Sequence, residues 1–347
     1  MSGVRFATIE RDRPLRGVVV GAGFLGPFWV RELVAGSETE IAGWVDVDPA
    51  RLARRTAELK LGALPHGTDL DAMLAAERPD FVVNVTAPEA HREVTLSALA
   101  HGAAVLSEKP LATSMDAARE MVAAADAAQR LLMVSQNRRY MPSLIAYRDA
   151  VGGLGTLASL TCDFYIAHRA HPDGFVRKIE QPLLLDMAIH LFDAARFITR
   201  AEPESVYCES YSPPWDWFAG PSAANAIFRM SGDVRLAFNG SWCADGFQTS
   251  WTGRWRASGE HGSATWDGER TPRVEPGPGV ELPSVAPVRA PRRARNRFEG
   301  LAAALAEFVA ALRTGRVPQS EARDNLRSLG MCHAAVESAR SRAPVTV

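Results

Sequence analysis

Apolar and polar positions alternate in a regular order over the first 135 residues. Gly17–Val20 is a short β-branched run ending in Gly21, and Phe24–Ala35 continues with helical spacing. Ile41–Val45, Phe81–Val85, Ala103–Leu106 and Leu131–Ser135 read as further short strands. Between them Pro49–Leu61, Asp69–Ala76, Glu89–His101 and Met115–Gln129 read as helices. Pro49 suits a first helical turn, and Gly102 suits the position just past a helix end. Apolar strands separated by amphipathic helices predict a parallel sheet covered on both faces, a doubly wound α/β domain.

The pattern changes near residue 138. A helix is expected at Ser143–Val151, followed by longer runs of strand character: Thr156–Tyr165, Ser205–Tyr211, Ala224–Met230, Val234–Ser241, Thr252–Ser258 and Ser263–Trp266. Gly232-Asp233 marks a hairpin turn between two of them. These predict a large, mostly antiparallel sheet, interrupted by one helical segment at Pro182–Arg200. Residues 271–291 carry six prolines and read as a loop or edge excursion. Two amphipathic helices, about 298–313 and 320–339, close the chain. The expected division is a first domain over 1–138 and a second over 139–347.

Composition adds exclusions. At 347 residues the length suits about two domains. Apolar residues are 47% and charged residues 23%, which excludes disorder and fibrous classes. Lys plus Arg is 39 and Asp plus Glu is 40, so no overall field draws nucleic acid or an anionic membrane. Cys162, Cys208, Cys243 and Cys332 are too far apart for a zinc pattern or a disulfide framework. Free thiols in a reducing cytoplasm are expected. The charged N-terminus has no apolar segment of signal-peptide type, and the longest apolar run, Leu301–Leu312, is broken by Glu307 and too short for a bilayer.

Gly21-Ala22-Gly23-Phe24-Leu25-Gly26 is G-x-G-x-x-G, placed after a strand and opening a helix. Gly21 permits the tight turn, Gly23 lets a pyrophosphate approach the backbone, and Gly26 lets the helix pack on the strand. The helix N-terminus then offers free N–H groups to phosphates. A glycine-rich turn without a ligand is the alternative. Asp46, twenty residues after Gly26, ends the second strand. An acid there accepts hydrogen bonds from the ribose hydroxyls of NAD and repels a 2′-phosphate, so NAD is favoured over NADP. Arg51 lies near enough in sequence to turn toward a phosphate.

Two further groups carry chemistry. Glu108-Lys109-Pro110 follows a parallel strand, at the sheet edge where open α/β sheets bind ligands. An ammonium beside a substrate hydroxyl stabilises a developing oxyanion; a solvated surface turn is the alternative. Asp186 and His190 are four apart in a strongly apolar helix and so share a face. Histidine is a natural acid or base near neutral pH, and Asp186 suits orienting it. A satisfied core pair is the alternative. A metal would need a third ligand, and none stands at useful spacing. Asp193 is expected to pair with Arg196 or Arg200.

Together these groups resemble the Gfo/Idh/MocA oxidoreductase family over nearly the whole chain. The matching stretches are Gly21–Gly26, Asp46, Thr86-Ala87-Pro88 with His91, Glu108-Lys109-Pro110, Asn137-Arg138-Arg139-Tyr140, Gly152–Gly155, and Asp186 with His190. The resemblance implies a Rossmann domain joined to an α/β domain with a large, mostly antiparallel sheet. It implies NAD(P)-dependent hydride transfer at a CH–OH group of a sugar, inositol or related polyol. Lys109 then corresponds to the catalytic lysine, His190 to the acid–base residue and Asp186 to the substrate-orienting acid. Gly21, Gly23, Phe24, Leu25, Gly26, Asp46, Thr86, Pro88, His91, Glu108 and Lys109 form the cofactor side. Assembly as a homodimer or homotetramer through the outer face of the second sheet is also implied.

The long stretch Tyr165–Gln181 leads into the Asp186 helix and holds His168, Arg169, His171, Arg177 and Lys178. Such cations suit a polyhydroxylated or acidic ligand, and Tyr140, Tyr165, His168, Arg169 and Arg177 are the candidate substrate residues. A solvated loop is the alternative. Trp215 and Trp217 are further aromatics suited to stacking on a sugar ring. Three rival activities stay open: a glycosidase working by transient oxidation and elimination on tightly held NAD, a dinucleotide-binding regulator without turnover, and an aldehyde or imine reductase of another Rossmann class, whose short-chain version is disfavoured by the lack of a Tyr-x-x-x-Lys motif. The intact Lys109, Asp186 and His190 set argues against the regulator.

Overall fold

The computed structural model describes residues 6–10, 12–169, 174–288 and 300–347. The chain divides into two compact units. The first runs through Gln136 and is joined by Leu301–Leu326; the second comprises Asn137–Gly300 and Arg327–Val347. The first division is two residues from the expected one. The return of the closing helix to the first unit departs from the expected assignment of 139–347.

In the first unit, β1 (Leu15–Val20), β2 (Thr39–Val45), β3 (His66–Gly67), β4 (Phe81–Asn84), β5 (Ala104–Ser107) and β6 (Leu132–Val134) form one sheet. The strand order is β3-β2-β1-β4-β5-β6, parallel throughout, as in the doubly wound dinucleotide folds. Strands β4, β5 and β6 are buried along their whole length, which explains their apolar character up to the buried Asn84 and Ser107 that end β4 and β5. Helices α1 (Gly26–Ala35), α2 (Pro49–Glu58), α3 (Leu70–Glu77), α4 (His91–Ala100) and α5 (Met115–Ala127) connect them. Asp48, Asp69 and Ser114 cap α2, α3 and α5 by accepting backbone N–H bonds.

The second unit begins with a short helical turn, Asn137–Tyr140, and α6 (Pro142–Gly152). Its sheet uses β7 (Leu157–Tyr165), β8 (Pro203–Tyr211), β9 (Ala223–Met230), β10 (Arg235–Ser241), β11 (Arg254–Gly259), β12 (Gly262–Trp266) and β13 (Arg273–Pro276). Helix α7 (Ala188–Thr199) lies between β7 and β8 in sequence. Helices α8 (Leu301–Thr314) and α9 (Ala322–Ser341) and strand β14 (Val345–Thr346) end the chain. The order is β13-β12-β11-β7-β10-β9-β8-β14, antiparallel except between β7 and β10. The expected hairpin holds: Met230 N–H donates to the Val234 carbonyl, and Gly232 and Asp233 take positive φ values of 71° and 61°.

Burial alternates along these strands. Leu160, Cys162 and Phe164 of β7 and Leu236 and Phe238 of β10 face inward, where Phe192 of α7 meets Phe228 and Phe238 edge-on at 4.8 and 5.3 Å. The proline-rich stretch contributes β13 as an edge strand on β12; its residues 289–291, and residues 298–299 of the expected closing helix, lie outside the described residues. Helix α8 packs in the first unit through Leu305, Phe308, Val309 and Leu312, with the Phe308 ring edge-on to Phe81 at 5.5 Å. Among the described residues, no helix is long and apolar enough to cross a membrane.

Candidate functional site

The glycine turn is fixed by its surroundings. Gly21 has φ of 113°, and a Cβ there would lie 2.5 Å from the Val85 carbonyl oxygen, so only glycine fits. A Cβ on Gly26 would run into the Gly21 carbonyl, whereas the space beside Gly23 is open. The turn is braced from β2: the Trp44 indole donates to the Gly21 carbonyl at 3.0 Å. The Asp46 carboxylate, nearly buried, accepts the Ala22 N–H at 2.5 Å and the Asp48 N–H at 2.8 Å. Arg51 is shared between Asp46, at 3.5 Å, and Asp48, at 3.1 Å. Phe24 is exposed, edge-on to Phe28 at 5.9 Å, and Leu25 opens α1 with its carbonyl accepting the Phe28 and Trp29 N–H groups. Open space at Gly23, the α1 N-terminus and the Asp46 side chain just past β2 together fit the pyrophosphate and ribose of NAD.

The carboxyl ends of β4 and β5 carry the second group. Thr86 donates its hydroxyl to Asn84 Oδ1 at 2.8 Å, and Pro88 begins a single helical turn, Pro88–Ala90. Glu108 is buried; its Oε1 accepts the Trp29 indole N–H at 2.9 Å, and its Oε2 accepts the Lys109 backbone N–H at 3.2 Å. Burial pushes the Glu108 carboxyl above the usual carboxylate range, while the Trp29 donor and the Lys109 charge pull it down. Lys109 is half-buried and precedes a cis bond to Pro110. His91 points inward instead of toward open space. Its ring nitrogens lie 2.7 Å from the Pro110 carbonyl and 3.2 Å from the Thr86 carbonyl, so any effect on a cofactor passes through those two turns.

The second unit carries Asp186 and His190. The expected α-helix over Pro182–Arg200 opens with a wider turn: Leu183–Met187 is π-helical, with the Ala188 N–H donating to the Leu183 carbonyl. Such turns insert a residue into a helix and recur at functional sites. Asp186 lies in the π turn and His190 in α7; both are half-buried. Asp193 corrects an expectation. It is gripped by Arg139, at 2.6 and 2.8 Å, and by the Ser328 hydroxyl at 2.7 Å, whereas Arg196 turns to Glu202 and Ser328. The cause is Arg139, buried on the turn before α6, which supplies the planar fork that a buried carboxylate needs.

The candidate substrate cations are engaged by the protein. Arg169 pairs with Asp245 at 2.8 Å and lies 4.4 Å over the Trp217 ring. Arg177 donates twice to the Trp217 carbonyl, at 2.5 and 2.9 Å, and the Trp217 indole donates to the His168 carbonyl at 3.0 Å. The His168 ring packs against Trp242 and Trp251 at 4.8 and 5.4 Å. Trp217 thus ties the stretch together at both ends, with Arg169 paired to an exposed acid and Arg177 hydrogen-bonded to a backbone carbonyl. Tyr165 ends β7, half-buried, and Tyr140 is half-buried in its short turn. Trp215 is exposed, its indole N–H held by the Cys243 carbonyl at 3.1 Å. His171 lies outside the described residues. Among the described residues, no cluster of three or more His, Cys, Asp or Glu is arranged to hold a metal.

Sequence reasoning did not single out Trp29 as the partner of Glu108. The signal present was an indole on the helix that the glycine turn opens, at a position facing the sheet. Arg139 stood in a matched stretch without a role.

Known proteins place the chain. Residues 15–136 match the profile of an oxidoreductase family with an NAD-binding Rossmann fold, and residues 150–265 match the GFO/IDH/MocA C-terminal domain. D-apiose dehydrogenase of Paraburkholderia graminis is 27% identical, covering 96% of this chain and 90% of its own length. Inositol 2-dehydrogenase of Rhizobium meliloti is 25% identical, covering 95% and 98%. An oxidoreductase from Agrobacterium radiobacter, crystallised with NAD+, L-tartaric acid and magnesium, shares the fold with a TM-score of 0.87 at 23% identity, covering 96% of this chain and 98% of that one. With both of its units matched, the chain belongs to the Gfo/Idh/MocA family of NAD-binding oxidoreductases.

Proposed function

We propose that this enzyme interconverts a secondary alcohol and the corresponding ketone of a sugar, inositol or related polyol. The observation that carries the reading is Lys109, presented at the carboxyl end of β5 in a turn held by buried Glu108 and His91. NAD, held by the Gly21–Gly26 turn and Asp46, would supply the hydride acceptor for oxidation and, when reduced, the hydride donor for reduction. Lys109, as an ammonium, lowers the energy of the oxyanion that develops as the C–H bond breaks. His190 takes the hydroxyl proton in oxidation and gives it back in reduction. Asp186 orients the imidazole or holds a neighbouring hydroxyl. The Asp46 carboxylate favours ribose hydroxyls over a 2′-phosphate. The substrate class draws support from the D-apiose and inositol dehydrogenases among the relatives.

Two parts of the reading concern the whole protein. Tyr207, Tyr211 and Ile227 stand exposed on β8 and β9, which supports a homodimer or homotetramer formed through the outer face of that sheet. Four buried free thiols suit a reducing cytoplasm.

A panel of sugars and polyols with NAD+ and NADP+, followed by the absorbance of the reduced cofactor, tests the activity. The expected result is NAD+-dependent turnover of at least one polyol that Lys109→Ala and His190→Ala each lower by about a hundredfold or more. Wild-type turnover in both variants defeats the assignment.

A further inference from the structure

His91 is fully buried at the start of α4, and its ring faces two acceptors, the carbonyls of Pro110 and Thr86. A neutral imidazole carries one N–H and one lone pair, so it donates to one of them only. Burial holds His91 below the ordinary histidine range, and the Lys109 charge acts in the same direction. The ring is therefore neutral near pH 7. The shorter contact, 2.7 Å against 3.2 Å, assigns the proton to Nδ1 and the bond to the Pro110 carbonyl.

The ring cannot follow that carbonyl if the turn drifts. The His91 carbonyl accepts the Asn84 side-chain N–H at 3.0 Å, and Asn84 Oδ1 accepts the Thr86 hydroxyl at 2.8 Å. These bonds pin the start of α4 to the end of β4. Pro110 has no N–H of its own, so its carbonyl is the polar handle of the residue after Lys109. On the other side the Lys109 N–H is held by Glu108, and Glu108 by Trp29.

We propose that His91 is a positioning residue for Lys109, acting through Nδ1–H on the Pro110 carbonyl, and that its Nε2 only borders the Thr86 turn. The proposal rests on Lys109 being the cation of the hydride-transfer reaction. It gives His91 a role distinct from contact with the cofactor.

Two substitutions separate the ring nitrogens. The amide nitrogen of His91→Asn takes the place of Nδ1, and that of His91→Gln the place of Nε2. The readout is favourable because the chain has three lysines, Lys60, Lys109 and Lys178. Labelling with ε-13C lysine gives three signals in the full-length protein, and Lys109→Arg assigns the one of interest. With NAD+ present, His91→Asn is expected to leave the Lys109 signal in place. His91→Gln is expected to shift or broaden it, with Lys60 and Lys178 unmoved in both. On the polyol found by the panel, kcat should be about tenfold or more lower in His91→Gln than in His91→Asn, with NAD+ Kd within about threefold. The same Lys109 signal and the same kcat in both variants overturn the proposal. If His91→Gln fails to fold, His91→Asn decides alone: an unmoved Lys109 signal supports the role and a moved one overturns it. Retained turnover in Lys109→Ala defeats the hydride-transfer reading itself. Lost turnover there, with an unmoved Lys109 signal in His91→Gln, defeats only the role of His91.

Discussion

Trp29→Phe removes one N–H from a buried carboxylate while keeping an aromatic ring in the core. Trp29 is fully buried, Glu108 is 6% exposed, and the bond between them is 2.9 Å long. Losing a hydrogen bond to a charged group costs about 1.5–3 kcal/mol. The smaller ring leaves a void that adds about 1 kcal/mol. When Glu108 is protonated the lost bond is a neutral one, costing about 0.5–1.5 kcal/mol. Burial already raises this carboxyl above its ordinary 4.5, and the indole donor opposes the rise. Without the donor the folded value climbs further. A folded value above the unfolded one gives stability that is complete below the unfolded value and lost as pH rises through the folded value. The loss is larger in the variant, so its penalty should grow by roughly 1–1.5 kcal/mol as pH rises from about 4.5 through the folded value of Glu108. Denaturant unfolding followed by circular dichroism at two pH values, one on either side of that folded value, measures it. Adding Glu108→Gln should remove the growth, since no charge is then left to stabilise. A penalty equal at the two pH values within about 0.3 kcal/mol would refute the reasoning.

Asp46→Ala deletes the acceptor of the Ala22 and Asp48 N–H groups and should weaken NAD+ binding by about 10–100-fold. NADP+ should be weakened less, because Arg51 is released toward a 2′-phosphate; an unchanged ratio of the two affinities counts against the role given to Asp46. Arg139→Met strands the Asp193 carboxylate in the interior and should cost about 3–5 kcal/mol, with Asp193→Leu added to it restoring a large part. A calorimetric cost below about 1 kcal/mol for the single change would show that the pair is not held as described.

The first unit was legible because its strands are buried on both faces and its helices on one, so periodicity alone separates them. Its glycine turn and the acid ending β2 have fixed spacing along the chain. Two-residue strands such as β3 and β14 carry no periodicity, and their pairing is decided by neighbours far away in sequence. The hidden parts of the candidate site are those that depend on contacts between distant segments. Asp193 meets Arg139 across 54 residues, and Trp29 meets Glu108 across 79. The cations of the Tyr165–Gln181 stretch read as ligand-binding because the carbonyl and ring that satisfy them belong to Trp217, some 40 residues on. His91 read as a cofactor contact because its neighbours Thr86 and Pro88 line an open turn, and only the fold reveals that its ring faces the other way.

The return of α8 to the first unit sets an order of events during synthesis. Phe308 packs edge-on against Phe81, yet it leaves the ribosome only after the entire insertion from 137 to 300. At about 5–20 residues per second, the nascent cofactor-binding unit waits roughly 10–30 s with that apolar surface uncovered. A fragment cut at the boundary that sequence suggests, near residue 138, keeps this state permanently. Such a fragment is expected to aggregate more readily than the full chain, because Leu301–Leu326 is the clasp that ends this exposure.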